Sequence, residues 1–314
     1  MAAEAYRCAV RQSLPSPAPA TVSPVPASPQ AASAPADDIC RRLLGLLRNL
    51  PRRAGVDVIH RLRTSVRRLE AQLEMPHAAA EDGLFRCPPR VARALRTLRK
   101  KAGRVRDIDV HLALLSDPQF SSPSARRLRA PLLRHLRASR AVHLRALRQR
   151  ALKVRPRLER KLPELLRRAE FTEDPATAAR LSAQVRQRFL ELSRNIPEDA
   201  ALLHRLRIDA KHLRYGLEPH GRFESAEPLL AHLRKVQQAI GDWHDWATLH
   251  ELARRILTQP GAGEFLAQLQ QRTAREFTRA RRSVHKARLR MLNMDDAGSV
   301  PPLQAMQQTL TKAG

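Results

Sequence analysis

Two short runs of the chain carry basic side chains at a spacing that can hold a row of phosphates. Residues 58–74 read VIHRLRTSVRRLEAQLE and residues 202–218 read LLHRLRIDAKHLRYGLE. His60, Arg63 and Arg67 recur every three or four residues in the first run, and His204, Arg207, Lys211 and Arg214 do so in the second. On a helix that spacing gathers side chains onto one face. A guanidinium meets phosphate oxygens through paired, charge-assisted hydrogen bonds, and an ammonium adds a point charge. A row of such groups therefore suits the successive phosphates of a linear polyanion. The histidine heading each row, with an ordinary pKa near ~6.5, gains its proton more readily beside bound negative charge.

The elements that must position these rows are legible around them. Each row lies one residue, about 100°, from an apolar stripe. The stripes are Ile59, Leu62, Val66, Leu69 and Leu73, and Leu203, Leu206, Ala210, Leu213 and Leu217. A single basic row on a helix is ordinarily a solvated face. Here the row recurs beside the buried stripe, mostly without acidic partners one turn on, which places it at the edge of a groove or channel.

Two further segments recur in the same order. Gly103 with Arg106 and Asp107 matches Gly241 with His244 and Asp245, and Arg137, Arg140, Val142 and His143 match Arg279, Arg282, Val284 and His285. The three offsets (204 − 60, 244 − 106 and 279 − 137) are 144, 138 and 142 residues, so only loop-sized differences separate two copies. Four helical segments fall in each copy. The expected fold is all-α, two pseudo-symmetric four-helix bundles made by internal duplication.

Leu14 to Ala36 holds a Pro every few residues, so residues 1–36 read as a disordered Pro/Ala/Ser-rich tail. Periodic segments follow from Asp37. The first copy spans about 37–155, a linking helix split at Pro163 spans about 158–171, and the second copy spans about 175–293. Residues 294–314 form a short C-terminal tail. Within the copies, helices are expected near 37–49, 57–75, 89–115 and 122–155, then 175–194, 199–218, 226–257 and 263–293, with a bend at Gly103.

Composition narrows the function. Lys and Arg number 58 against 30 Asp and Glu, a formal net charge of +28 in 314 residues. Self-repulsion on that scale costs stability unless an anionic partner offsets it. Cys8, Cys40 and Cys87 form no paired spacing, which points to a reducing, cytoplasmic setting without disulfides or a thiolate zinc site. No apolar run of roughly 18 residues occurs, so no membrane partner is expected. Phosphate-loop, dinucleotide and HExxH motifs are missing, so no cofactor, metal or catalytic group is expected. Asp107, Asp109, Asp242 and Asp245 read as partners that orient neighbouring cations. Two Trp, two Tyr and seven Phe make no base-stacking platform.

At these residues the chain resembles the CHAD family of histidine-containing α-helical domains. The resemblance runs over roughly residues 37–293 and rests on the two runs quoted above, GRVRDIDVHL at 103–112 and LRKVQQAIGDWHDWATL at 233–249. It implies two four-helix bundles around a basic central cavity, binding of inorganic polyphosphate, and association with polyphosphate granules. It maps the family's His and basic positions onto His60, Arg63, Arg67, His204, Arg207, Lys211 and Arg214, with Arg106 as a further candidate. His244 and His212 depart from the family pattern, which more often has an amide and an Arg there. Arg137, Arg140, Arg279 and Arg282 complete the candidate set. The alternative reading is a basic protein that binds nucleic acid without sequence preference. An enzyme acting on polyphosphate and a scaffold for acidic proteins are the remaining options.

Overall fold

The computed structural model of the chain describes residues 36–50, 54–74, 87–120, 122–168, 175–196 and 198–294. The expected N-terminal tail before Ala36 and the C-terminal tail from residue 295 lie outside the described residues. Eight α-helices run through the described part: α1 (Ala36–Asn49), α2 (Val56–Glu74), α3 (Pro89–Leu114), α4 (Pro123–Arg168), α5 (Pro175–Leu192), α6 (Ala200–Leu217), α7 (Glu227–Ile256) and α8 (Ala262–Leu292). Among the described residues there is no strand, and no helix is long and apolar enough to cross a membrane. The fold is all-α.

Local chemistry sets the helix starts. Pro lies in the first turn of α3 and α7, where its missing N–H has no intrahelical acceptor to lose. The Asp199 carboxylate caps α6 by accepting a 2.7 Å hydrogen bond from the Leu202 amide. Gly261, at φ 83°, takes the left-handed turn ahead of α8 that side chains resist.

One expectation fails at α4. The helix expected to stop near Arg155, and the separate linking helix from Leu158, are one element of 46 residues that passes through Pro131, Pro156 and Pro163. At 1.5 Å per residue it is about 69 Å long. Each internal Pro removes a backbone bond and costs about 3 kcal/mol in an unsupported helix. Tertiary burial on both sides offsets that cost, because Leu147, Ala151, Val154, Leu158, Leu162 and Leu165 continue one buried stripe across Pro156 and Pro163. The carbonyl freed by Pro156 is that of Leu152, whose residue is 49% exposed, so this turn faces water.

The first four helices pack in a cycle: α1 against α2 and α4, and α3 against α2 and α4. They enclose a core of Leu, Val, Ile and Ala that includes Leu43, Leu62, Leu69 and Leu98. The last four pack likewise, α6 against α5 and α7, and α8 against α5 and α7. Their core includes Phe189, Leu206, Leu233 and Trp243. A third core joins the α3–α4 turn to the α7–α8 turn, with Phe120 against Phe265 and Trp246 at centroid separations of 5.1 and 6.2 Å. Contacts of α2 with α6 and of α3 with α7 bring the two groups face to face.

Candidate functional site

The apolar stripe of α2 is buried from end to end, with Ile59, Leu62, Val66 and Leu69 fully enclosed. That fixes the rotation of the helix and leaves Arg63 and Arg67 half-buried beside it. On α6, burial of Leu203, Leu206, Ala210 and Leu217 does the same for His204, Arg207, Lys211 and Arg214. The two rows converge. Arg67 Nη1 donates to the Tyr215 hydroxyl at 3.1 Å, and the Arg214 guanidinium lies 4.5 Å from the centre of the Tyr215 ring. One residue further on, Arg68 donates twice to a single Glu218 carboxylate oxygen, at 3.0 and 2.8 Å, across the same junction. This part-buried bridge ties α2 to the end of α6.

Between the rows lies a cavity of about 600 Å³. α2 and α6 supply Arg63, Arg67, Arg207 and Lys211. α3 contributes Arg104, Asp107, Ile108 and His111, and α7 contributes His244, Asp245, Thr248, Leu252 and Arg255. α4 closes one side with His135, Leu136, Ser139 and His143. His111 Nε2 and Thr248 Oγ1, 3.1 Å apart, connect α3 to α7 across the floor. Five arginines and Lys211 thus face two carboxylates.

Crowding of like charge in a partly dry site shows in the acid–base properties. Burial, then Arg207, Arg67 and Arg63, lower Lys211 from 10.5 to about 7, while Asp107 acts the other way. Burial and Arg67 bring Arg63 down to about 10, where it stays protonated at neutrality. Burial, Arg207 and His204 push His244 down to about 4. Burial lifts Asp245 to about 6 against the pull of Arg207. The Nε atoms of Arg63, Arg207 and Arg214 are buried without a hydrogen-bond partner. Buried charged donors left unpaired cost several kcal/mol in the general case. Negative charge bound in the cavity would offset the electrostatic part of that cost.

The candidate residues divide by position. Arg63, Arg67, Arg207 and Lys211 line the cavity, and Arg214 extends the α6 row past it. Arg106 sits close enough to His60 and Asp245 to shift both. His60 stands at the largely exposed head of its row, its pKa lowered by partial desolvation, then by Arg106 and Arg63. His204 packs against His244 with centroids 4.9 Å apart, so it touches a lining residue without lining the cavity itself.

Arg137 is exposed on α4, two residues and about 200° from the lining Ser139, so it faces away. Arg140 is committed elsewhere: its Nε donates to the buried Asp109 at 2.5 Å and its Nη2 to the Ala54 carbonyl at 3.2 Å. Arg279 and Arg282 are exposed on α8, which contributes no described lining residue, and Arg279 pairs with Glu276 at 3.4 Å. Sequence reasoning missed Arg104, His111 and Arg255, and the His135–Ser139–His143 face of α4. The four-residue spacing of that last trio was the available signal.

Comparison with known proteins agrees with this architecture. The chain matches the CHAD domain family over residues 37–254, a span that ends just before the last residues of α7. A crystal structure of the CHAD domain from the plant Ricinus communis is similar in fold, with a TM-score of 0.56 and 21% identity, covering 81% of this chain and 90% of that one. Among curated proteins none matches the chain.

Proposed function

The chain belongs to the CHAD domain family, and we propose that its basic cavity binds inorganic polyphosphate without catalysing a reaction on it. The observation that carries the reading is the pair of buried, unpartnered Nε donors of Arg63 and Arg207, on facing helices of one cavity. A linear chain of phosphates brings negative charge to both of these guanidinium groups at once, and Arg67 and Lys211 continue each row along it. Asp107 and Asp245 then act by holding the cations in register, since each lies within electrostatic reach of Arg207. Among the described residues no cluster of His, Cys, Asp and Glu has the geometry to hold a metal ion. The proposed role is retention of polyphosphate, with granule association as its cellular consequence.

The test is a competition titration with labelled long-chain polyphosphate at near-physiological salt, challenged by duplex DNA and by RNA at equal phosphate concentration. Polyphosphate holding against both supports the cavity reading. Ready displacement by nucleic acid overturns it in favour of generic charge. In parallel, Arg207→Glu with Lys211→Glu removes two lining cations and reverses their charge. Affinity is expected to fall at least about 100-fold with helix content retained, since each lost phosphate contact removes one released counterion as well.

A further inference from the structure

Two basic stripes leave the cavity side by side. On α3, Arg104 lines the cavity, and Lys100, Arg96 and Arg93 follow at four-, four- and three-residue steps toward the helix start, all exposed. On α4, His143 lines the cavity, and Arg150, Lys153 and Arg157 follow at seven, three and four residues on the same face. α3 and α4 are antiparallel partners joined by the short segment 115–122, and they pack against each other along their length. The stripes therefore flank one seam and run in one direction away from the cavity. By helical rise they reach about 16 to 21 Å beyond it.

The stretches of α3 and α4 that carry the two stripes hold no negative charge of their own. Neither residues 88–106 nor residues 118–158 contain a carboxylate. None of Arg93, Arg96, Lys100, Lys153 and Arg157 forms an ion pair among the described residues. Arg150 is half-buried, and its Nε is enclosed without a hydrogen-bond partner, the same state as Arg63 and Arg207 inside the cavity. Like charges gathered along a helix face repel one another unless an anion lies among them.

We propose that the α3–α4 seam is a second binding segment for the same linear polyanion, entered by the part of the chain that leaves the cavity past Arg104 and His143. The proposal rests on the polyphosphate reading of the cavity and adds chain-length selection to it. Short oligophosphates are held by the cavity alone. Long chains gain the seam contacts as an intramolecular continuation, without a second association cost.

The test uses the full chain and two ligands, tripolyphosphate and long-chain polyphosphate, with Arg96→Gln, Lys100→Gln, Lys153→Gln and Arg157→Gln combined in one variant. These side chains are exposed and make no ion pair among the described residues, and retained helix content checks the fold. Tripolyphosphate affinity is expected to change less than about two-fold. Long-chain affinity is expected to fall about ten-fold, and its slope against log salt to flatten by about 3, four contacts at ~0.7 each. Unchanged long-chain affinity, or an equal loss for both ligands, overturns the seam. If the unmodified protein binds neither ligand, the polyphosphate reading fails first and the seam falls with it.

Discussion

Along the α3–α4 seam, Lys100, Arg96 and Arg93 follow Arg104 away from the cavity, while the corresponding stretch of α7 carries Asp242, Gln238 and Arg234. Gln238 donates to Asp242 at 2.6 Å, so this part of α7 spends its polar groups on itself. On α8, Arg272 and Arg279 both turn to the buried Glu276, at 3.3 and 3.4 Å. The two seams share helical packing and a common third core, yet the stripe on α3 presents unpaired cations while Arg272 and Arg279 on α8 are partly neutralised by Glu276. The same contrast reaches the cavity, where α4 supplies four lining residues and α8 none that are described. Fold and charge have thus been settled separately: packing fixes where each seam runs, and the residues at a few exposed positions fix how much unpaired positive charge it presents.

The contrast has a stability side, and its largest expected effect lies at Arg140 and Arg282. Both come from the same motif in the sequence. Arg140 meets Asp109, whose side chain is only 1% exposed, whereas Arg282 is exposed. Removing one member of a buried pair strands the other charge. Arg140→Ala is expected to lower unfolding free energy by about 3 kcal/mol, and Arg282→Ala to stay within about 0.5 kcal/mol. Denaturant unfolding of the two variants side by side measures this. Equal losses would show that α4 and α8 hold their cations in the same way.

Both rows of the site were readable because burial of an apolar stripe fixes helix rotation, and rotation fixes the residue next to it. The stripes at Leu62 and Leu206 therefore carried Arg63 and Arg207 to the edge of the cavity. Arg137, Arg140, Arg279 and Arg282 were not resolved this way. Their segments are basic on several faces, so spacing alone could not say which face meets the cavity. The linking helix failed for a related reason. Pro156 and Pro163 signal a break locally, but burial of Leu158 and Leu162 across them is a tertiary fact. The α4 face was hidden because His135, Ser139 and His143 look unremarkable until α4 is laid across α3 and α7.

Lys211 sharpens the cavity end of the contrast through pH. With its pKa near 7 in the free protein, it is half-charged at neutrality. A bound polyanion favours the charged form and raises that value, so binding takes up a proton at any pH between the free and bound values. Affinity therefore falls as pH rises through 7, by up to about ten-fold per unit for one proton. Asp245, lifted to about 6, and His244, lowered to about 4, act in the same direction at lower pH. The unliganded protein shows the opposite trend. Between about 7 and 10.5 the unfolded chain holds the Lys211 proton that the folded chain has released, so this group makes stability rise with pH across that window. Titrations from pH 6 to pH 9 are expected to show about a ten-fold loss of affinity, and Lys211→Arg, which stays charged, is expected to flatten it. A steep profile in that variant would assign the proton to another group.

The smallest expected effect is also the most direct trial of the two seams. If unpaired cations on an exposed stripe are all that separates them, the α7–α8 seam can be opened by substitution. Asp242→Asn removes a carboxylate whose pKa burial already raises, and which sits near Arg272 and Arg279. Gln238→Lys adds a cation at an exposed position one turn away. Neither change touches a residue that lines the cavity. Removing the carboxylate leaves Arg272 and Arg279 less neutralised, so the seam gains more than the one added charge. Long-chain polyphosphate is expected to bind the double variant about three-fold more tightly at low salt, with tripolyphosphate unchanged, because each exposed charge pairing is worth less than about 1 kcal/mol. The gain should vanish as salt is raised, in keeping with screening over about 10 Å at 0.1 M. No gain at low salt would mean that charge alone does not make a seam a track, and that the half-buried Arg150, for which α8 offers Leu292 at the matching position, is the part that cannot be omitted.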